Sequence, residues 1–132
     1  MCEKYGVVMV NQVLLYAGSG LILFWKAAHF FPTKSIVMGF GGISSDNKRI
    51  ITMEWIIEGV SLIFIGAIII AATFIDHTNV VSKAIYWLCF IVLNVLSVVS
   101  LMTGFKVSFL PFKLCPVIFT TASILILLGN YL

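Results

Sequence analysis

The sequence predicts an all-α integral membrane protein, an up-and-down bundle of four transmembrane helices with a long loop between the first and the second. Three observations carry that expectation. Of 132 residues, 61% are hydrophobic and 10% charged, where soluble domains average about a quarter charged; mean hydropathy is +1.16. Four runs, 5–25, 59–75, 84–105 and 114–132, hold no charged residue, and each is close to the roughly 20 residues that cross hydrocarbon as a helix. Finally, Lys26, Lys34, Lys48, Arg49, Lys106 and Lys113 fall between runs one and two or three and four, against Lys4 and Lys83 on the other side. The positive-inside rule then predicts a multi-pass protein with both termini and the 76–83 turn on the non-cytoplasmic side. The expected spans are about 5–25, 53–75, 83–104 and 112–132, in a single domain 1–132 with a cytoplasmic loop over about 26–52.

A cleaved signal peptide is the competing reading of the first run. Glu3 precedes it and no small-residue cleavage site follows, so a retained helix ending at Phe24-Trp25-Lys26 is expected. Its polar residues Gln12, Tyr16, Ser19 and Lys26 recur at helical spacing, with Asn11 and Gly18 beside them. A stripe of small and amide side chains packs helices together in lipid; the functional alternative makes Asn11 and Gln12 the lining of a ligand or ion site.

The connection after Trp25 opens on aromatic residues suited to headgroup depth, and Pro32 is expected to end any helical extension. Residues 36–38 read as a short strand or re-entrant piece, and Asp46-Asn47 as a turn. The glycines at 39, 41 and 42 match neither nucleotide-binding fingerprint. A loop of this length is more often functional or partner-binding than a bare connection.

The second helix is expected to begin near Ile51, with Trp55 at the interface and Gly59 and Gly66 open to a close neighbour. Glu54 and Glu58, four residues apart, share a face. Glu58, about a turn inside the apolar run, is the costliest residue in the chain to place, because lipid does not accept a bare carboxylate. Two readings stand: an ion pair with Lys26 or Lys106 that fixes helix register, or a protonatable acid serving as proton acceptor or ligand anchor, with His29 as relay. Glu54 is expected to be solvated.

Asp76-His77-Thr78-Asn79 forms a short turn on the opposite side, about 30 Å from His29, so the two histidines share no metal. Asp76 and His77 could meet Cys2 and Glu3 as a mixed ligand set, yet the spacing favours a plain polar turn, and no metal site is assigned. In the third helix Asn94, Ser97, Ser100 or Leu101, and Gly104 form an inner face, with Gly104 as its stop. Pro116 falls where the fourth helix is expected to start, and Thr120, Ser123 and Asn130 give that helix a polar face. Trp25, Trp55 and Trp87 mark aromatic belts.

Cys2, Cys89 and Cys115 are isolated, without the C-x-x-C pairing of disulfide chemistry. Haem-ligating histidine pairs, zinc-protease motifs and nucleophile elbows are missing as well, so neither a cofactor nor a catalytic constellation is assigned. Span count and size resemble those of DoxX-like proteins and of small multidrug exporters; the latter resemblance implies a carboxylate in the first span, which has none. No motif is matched residue by residue, and no family is assigned. The partners expected are the bilayer and a larger membrane protein or a second copy of the chain, not nucleic acid, since no basic block with interleaved aromatics occurs.

The function expected first is a noncatalytic accessory or partner-binding membrane subunit. The alternatives are a proton-coupled transporter with Glu58 as coupling residue and Asn11, Gln12, Asn94 and Asn130 along its path, and a lipid- or quinone-acting enzyme using Glu54, Glu58 and His29.

Overall fold

The computed structural model describes residues 2–30, 33–39 and 41–132, with the side chains of residues 2–4, 29, 30 and 33 outside the description. The described chain is helical, with no strand: α1 (Cys2–Phe30), α2 (Thr33–Gly39), α3 (Ser45–Asp76), α4 (Val80–Met102), a 3-10 turn (Gly104–Lys106) and α5 (Leu110–Tyr131). α1, α3, α4 and α5 are long and apolar enough to cross a membrane.

The helices overrun the apolar runs, and capping chemistry explains where they stop. At about 1.5 Å per residue α3 is about 48 Å long, well beyond a hydrocarbon layer of about 30 Å. Its polar first turns persist because the Ser44 side chain accepts a hydrogen bond from the Asn47 N–H at 3.2 Å, satisfying an amide the helix cannot. Asp46 sits in that first turn, where the helix dipole favours an acid. Asp46-Asn47 is therefore helix, not the expected turn. The strand or re-entrant piece expected at 36–38 lies inside α2. The long 26–52 loop is accordingly replaced: α1 continues to Phe30, a short helix follows, and Gly41, at φ 62, lets the chain turn into α3. Pro32 itself lies outside the described residues.

At the far end of α3, Asp76 accepts from the Thr78 amide (2.9 Å) and hydroxyl (2.6 Å). Asn79 then caps α4 by accepting from the Val81 N–H at 2.9 Å. These bonds close a three-residue turn and force α3 and α4 antiparallel. α4 stops at Thr103 rather than Gly104, which opens the 3-10 turn. α5 starts at Leu110 with Pro111 in its first turn; Pro116 lies inside the helix, not at its start.

The neighbours are α1 with α3 and α5, and α4 with α3 and α5, a closed ring in which consecutive long helices lie side by side. Glycines set the closeness. A Cβ on Gly18 would stand 3.0 Å from Ile126 and 3.2 Å from the Ala122 carbonyl, and one on Gly129 would meet Leu15 at 2.8 Å and the Asn11 carbonyl at 2.9 Å. α1 and α5 therefore approach backbone to side chain, as small residues allow. Between the ends runs an apolar core of Leu15, Ile22, Leu62, Ile69, Leu93 and Phe119.

Candidate functional site

Polar chemistry collects at the two ends of this bundle. At the basic end, α1 projects Lys26 inward until it is only 2% exposed. Its stem lies across α3 where Gly59 has no side chain: a Cβ there would overlap Lys26 Nζ and Cε and come within 2.8 Å of Cδ. Glu58, half-buried on the same turn of α3, acts electrostatically on the Lys26 ammonium. Gly59 is thus the slot in which the lysine stem lies against α3, within electrostatic reach of the Glu58 carboxylate.

Around the pair stands a wall the sequence did not disclose. Trp55, 8% exposed, meets Phe112 edge to face with centroids 5.3 Å apart, and Phe112 meets Phe109 at 6.0 Å. Cys115 of α5 is buried, within electrostatic reach of Glu58 and beside the Trp25 indole; its thiol donates to the Pro111 carbonyl at 3.4 Å. Lys106, the other ion-pair candidate, is exposed on the 3-10 turn, and it is Lys26 whose charge acts on Glu58. Glu54 is exposed. The side chain of His29 lies outside the described residues.

At the other end, the Gln12 amide donates to His77 Nδ1 at 3.3 Å, tying α1 to the α3–α4 turn. Asn11, Gly129, Asn130, His77, Thr78 and Lys83 line a cavity of about 570 Å³ there. The side-chain oxygens of Asn11 and Asn130 are buried and accept no hydrogen bond from a described residue. The side chains of Cys2 and Glu3, the remaining members of the mixed ligand set, lie outside the described residues; among those described, no three His, Cys, Asp or Glu side chains gather as a metal set.

Two interior hydroxyls between the ends, those of Tyr86 and Ser97, bond across to a neighbouring helix. Thr73 donates to the Ile69 carbonyl at 2.7 Å, so the fully buried Tyr86 hydroxyl, 3.0 Å away, donates to Thr73 and joins α4 to α3. Ser97 donates to the Pro116 carbonyl at 3.0 Å and accepts from Thr120 at 2.8 Å, joining α4 to α5. Asn94, a candidate path residue, donates to the Phe90 carbonyl of its own helix at 2.8 Å. Only the helical spacing of Ser97 and Thr120 hinted at these bonds. Nothing in the spacing singled out Tyr86, whose partner comes from an adjacent helix.

The fold and its two polar ends define a class no finer than an all-helical protein with four helices able to span a membrane. No protein-family model matches the chain, and comparison with curated proteins and with solved structures finds no match.

Proposed function

We propose that the chain is a noncatalytic membrane subunit that binds a larger membrane protein through its lipid-facing helix surfaces. The observation that carries this reading is the apolar core that separates Lys26 and Glu58 from the Asn11, Gln12 and Asn130 end. The interior hydroxyls of Tyr86 and Ser97 are spent on joining neighbouring helices, and the outward faces of α3 and α4 present the large apolar side chains Phe64, Leu88 and Val92. α3 and α4 are the most loosely joined neighbours and leave an apolar groove of about 530 Å³ that includes these residues. In lipid such a groove accepts another helix by close packing alone. In this reading the basic end faces the cytoplasm.

The test places a photocrosslinking residue at Phe64 or Leu88 in native membranes, with Phe24, exposed on α1, as control. The expected result is a discrete adduct with one membrane protein from the groove positions and none from Phe24. Lipid adducts alone at all three positions would remove the reading.

The half-buried Glu58 beside Lys26 favours a second reading, a proton-coupled carrier in which this carboxylate gains and loses the coupled proton. A carrier must join the two polar ends in some other conformation, since the core divides them in this one. Proton uptake by vesicles holding the purified chain, abolished by Glu58→Gln in a folded variant, would put this reading first.

A further inference from the structure

The inward face of α3 fixes what its outward face carries. Trp55, Leu62 and Ile69 are buried and recur every seven residues; in a heptad abcdefg lettered from Ile50 as a, they all fall at f. The other buried residues of α3, Gly59, Ile65, Gly66, Ala72 and Thr73, fall at b or c. Positions a and d therefore look away from the bundle, and Ile50, Met53, Ile57, Val60 and Phe64 are each more than half exposed. Ala67, Ala71 and Phe74 continue the line and are exposed too. An apolar line at a and d is the seam of a left-handed helix pair, and the small Ala67 and Ala71, four residues apart, let a second helix come close.

Lipid alone can cover such a face inside hydrocarbon, but not at its charged end. α3 outruns a layer of about 30 Å at the end that carries Lys48, Arg49 and Glu54, and Ile50 and Met53 stand exposed among those charges. An apolar line in that setting is better covered by protein than by water. The charges also say which protein. Arg49 holds a g position and Glu54 the e position five residues on, and in a parallel pair these two positions face each other across the seam. Arg49 of each copy thus meets Glu54 of the other, and a two-fold axis makes the contact twice. Two copies inserted the same way in a membrane lay their α3 helices parallel, as these charges require. Within the chain Arg49 lies 3.9 Å from Asp46, with the side chains 84% and 82% exposed, a contact too weak to hold the guanidinium back. A hollow of about 430 Å³ beside Arg49, Met53, Ile56 and Ile57 leaves room for a partner's side chain.

We propose that two copies of the chain pair in parallel along the α3 line from Ile50 to Phe74, with Arg49 of each against Glu54 of the other. The pairing does not rest on the larger-partner reading: Ile50, Met53 and Ile57 lie outside the α3–α4 groove, and Leu88 of α4 lies outside the seam.

The experiment uses the full chain in liposomes, with Cys2→Ser as background and the native Cys89 and Cys115 buried. On mild oxidation Ile50→Cys, Met53→Cys and Ile57→Cys are each expected to give a disulfide-linked dimer, and Lys48→Cys, exposed at an f position, is not. Energy transfer between labelled copies, followed as they are diluted in lipid, gives the affinity. Arg49→Glu alone or Glu54→Arg alone turns two attractions into two repulsions and should weaken the dimer roughly tenfold. Both changes together should restore it, and Lys106→Glu, the same kind of charge change off the seam, should leave it as it was. All three positions are exposed, so the variants keep the fold. A monomer at every density, a disulfide dimer formed as readily from Lys48→Cys as from the seam, or a charge exchange that fails to restore pairing would each overturn the proposal. A foreign adduct at Leu88 with no dimer would keep the larger-partner reading and remove this one; a dimer with no foreign adduct at Phe64 or Leu88 would do the opposite.

Discussion

At the scale of single residues, Lys26 and Glu58 make a claim that a mutational cycle can test. Glu58→Gln takes away the carboxylate charge that faces the buried ammonium, and breaking a buried pair from one side costs roughly 3–5 kcal/mol, whereas replacing both members by apolar residues is often neutral or stabilising. Glu58→Gln is therefore expected to lower the unfolding midpoint in mild detergent sharply, and Lys26→Met with Glu58→Leu to recover most of the loss. If the double change costs the sum of the singles, the pair does not act as a unit. Glu58 was legible as a problem because one acid inside an apolar run has few physical exits, and Lys26 because it lies at the same end of the neighbouring span. The choice of Lys26 over Lys106 was not legible: it rests on Gly59 leaving a slot for the lysine stem, a matter of how α1 and α3 are rotated against each other. Trp25, Cys115, Thr73 and Tyr86 escaped for the same reason, since lateral partners across helices depend on rotation, which composition does not encode.

At the scale of elements, the glycines rank the interfaces. Gly129→Ala would drive a Cβ against the Asn11 carbonyl and the Leu15 amide, 2.9 and 3.1 Å away. Backbone cannot swing aside as a side chain does, so α1 and α5 must separate, at about 1–3 kcal/mol for overpacking. Gly20 on α1 has open space around its Cα, and Gly20→Ala should be neutral or stabilise by up to about 1 kcal/mol through helix propensity. Thermal unfolding of the two variants side by side checks the contrast; equal effects would mean that the α1–α5 contact is looser than described. Ser97→Ala on α4 removes the bonds to the Pro116 carbonyl and Thr120 and should cost about 1 kcal/mol, the usual value of such bonds between membrane helices. Four apolar helices were readable because hydrocarbon fixes their length. Their ends were not, because hydrophobicity reports only the apolar stretch, while Ser44 and Asn79 decide where the backbone stops being helical.

At the scale of the whole molecule, consecutive long helices are neighbours, and the three-residue turn between α3 and α4 forces those two to run antiparallel. Asn47 and Thr78 are both exposed and are separated by one long helix, α3. If α3 crosses the bilayer they lie on opposite faces, and the orientation proposed above from the positions of Lys26, Lys34, Lys48, Arg49, Lys106 and Lys113 puts Asn47 on the cytoplasmic one. Single-cysteine variants test both steps. With Cys2→Ser as background and the native Cys89 and Cys115 buried, a membrane-impermeant maleimide should label Thr78→Cys on intact cells and Asn47→Cys only after permeabilisation. The reverse pattern would keep the crossing and invert the orientation. Labelling of both from one side would mean that α3 does not cross, and Glu58 would then need no partner to be tolerated.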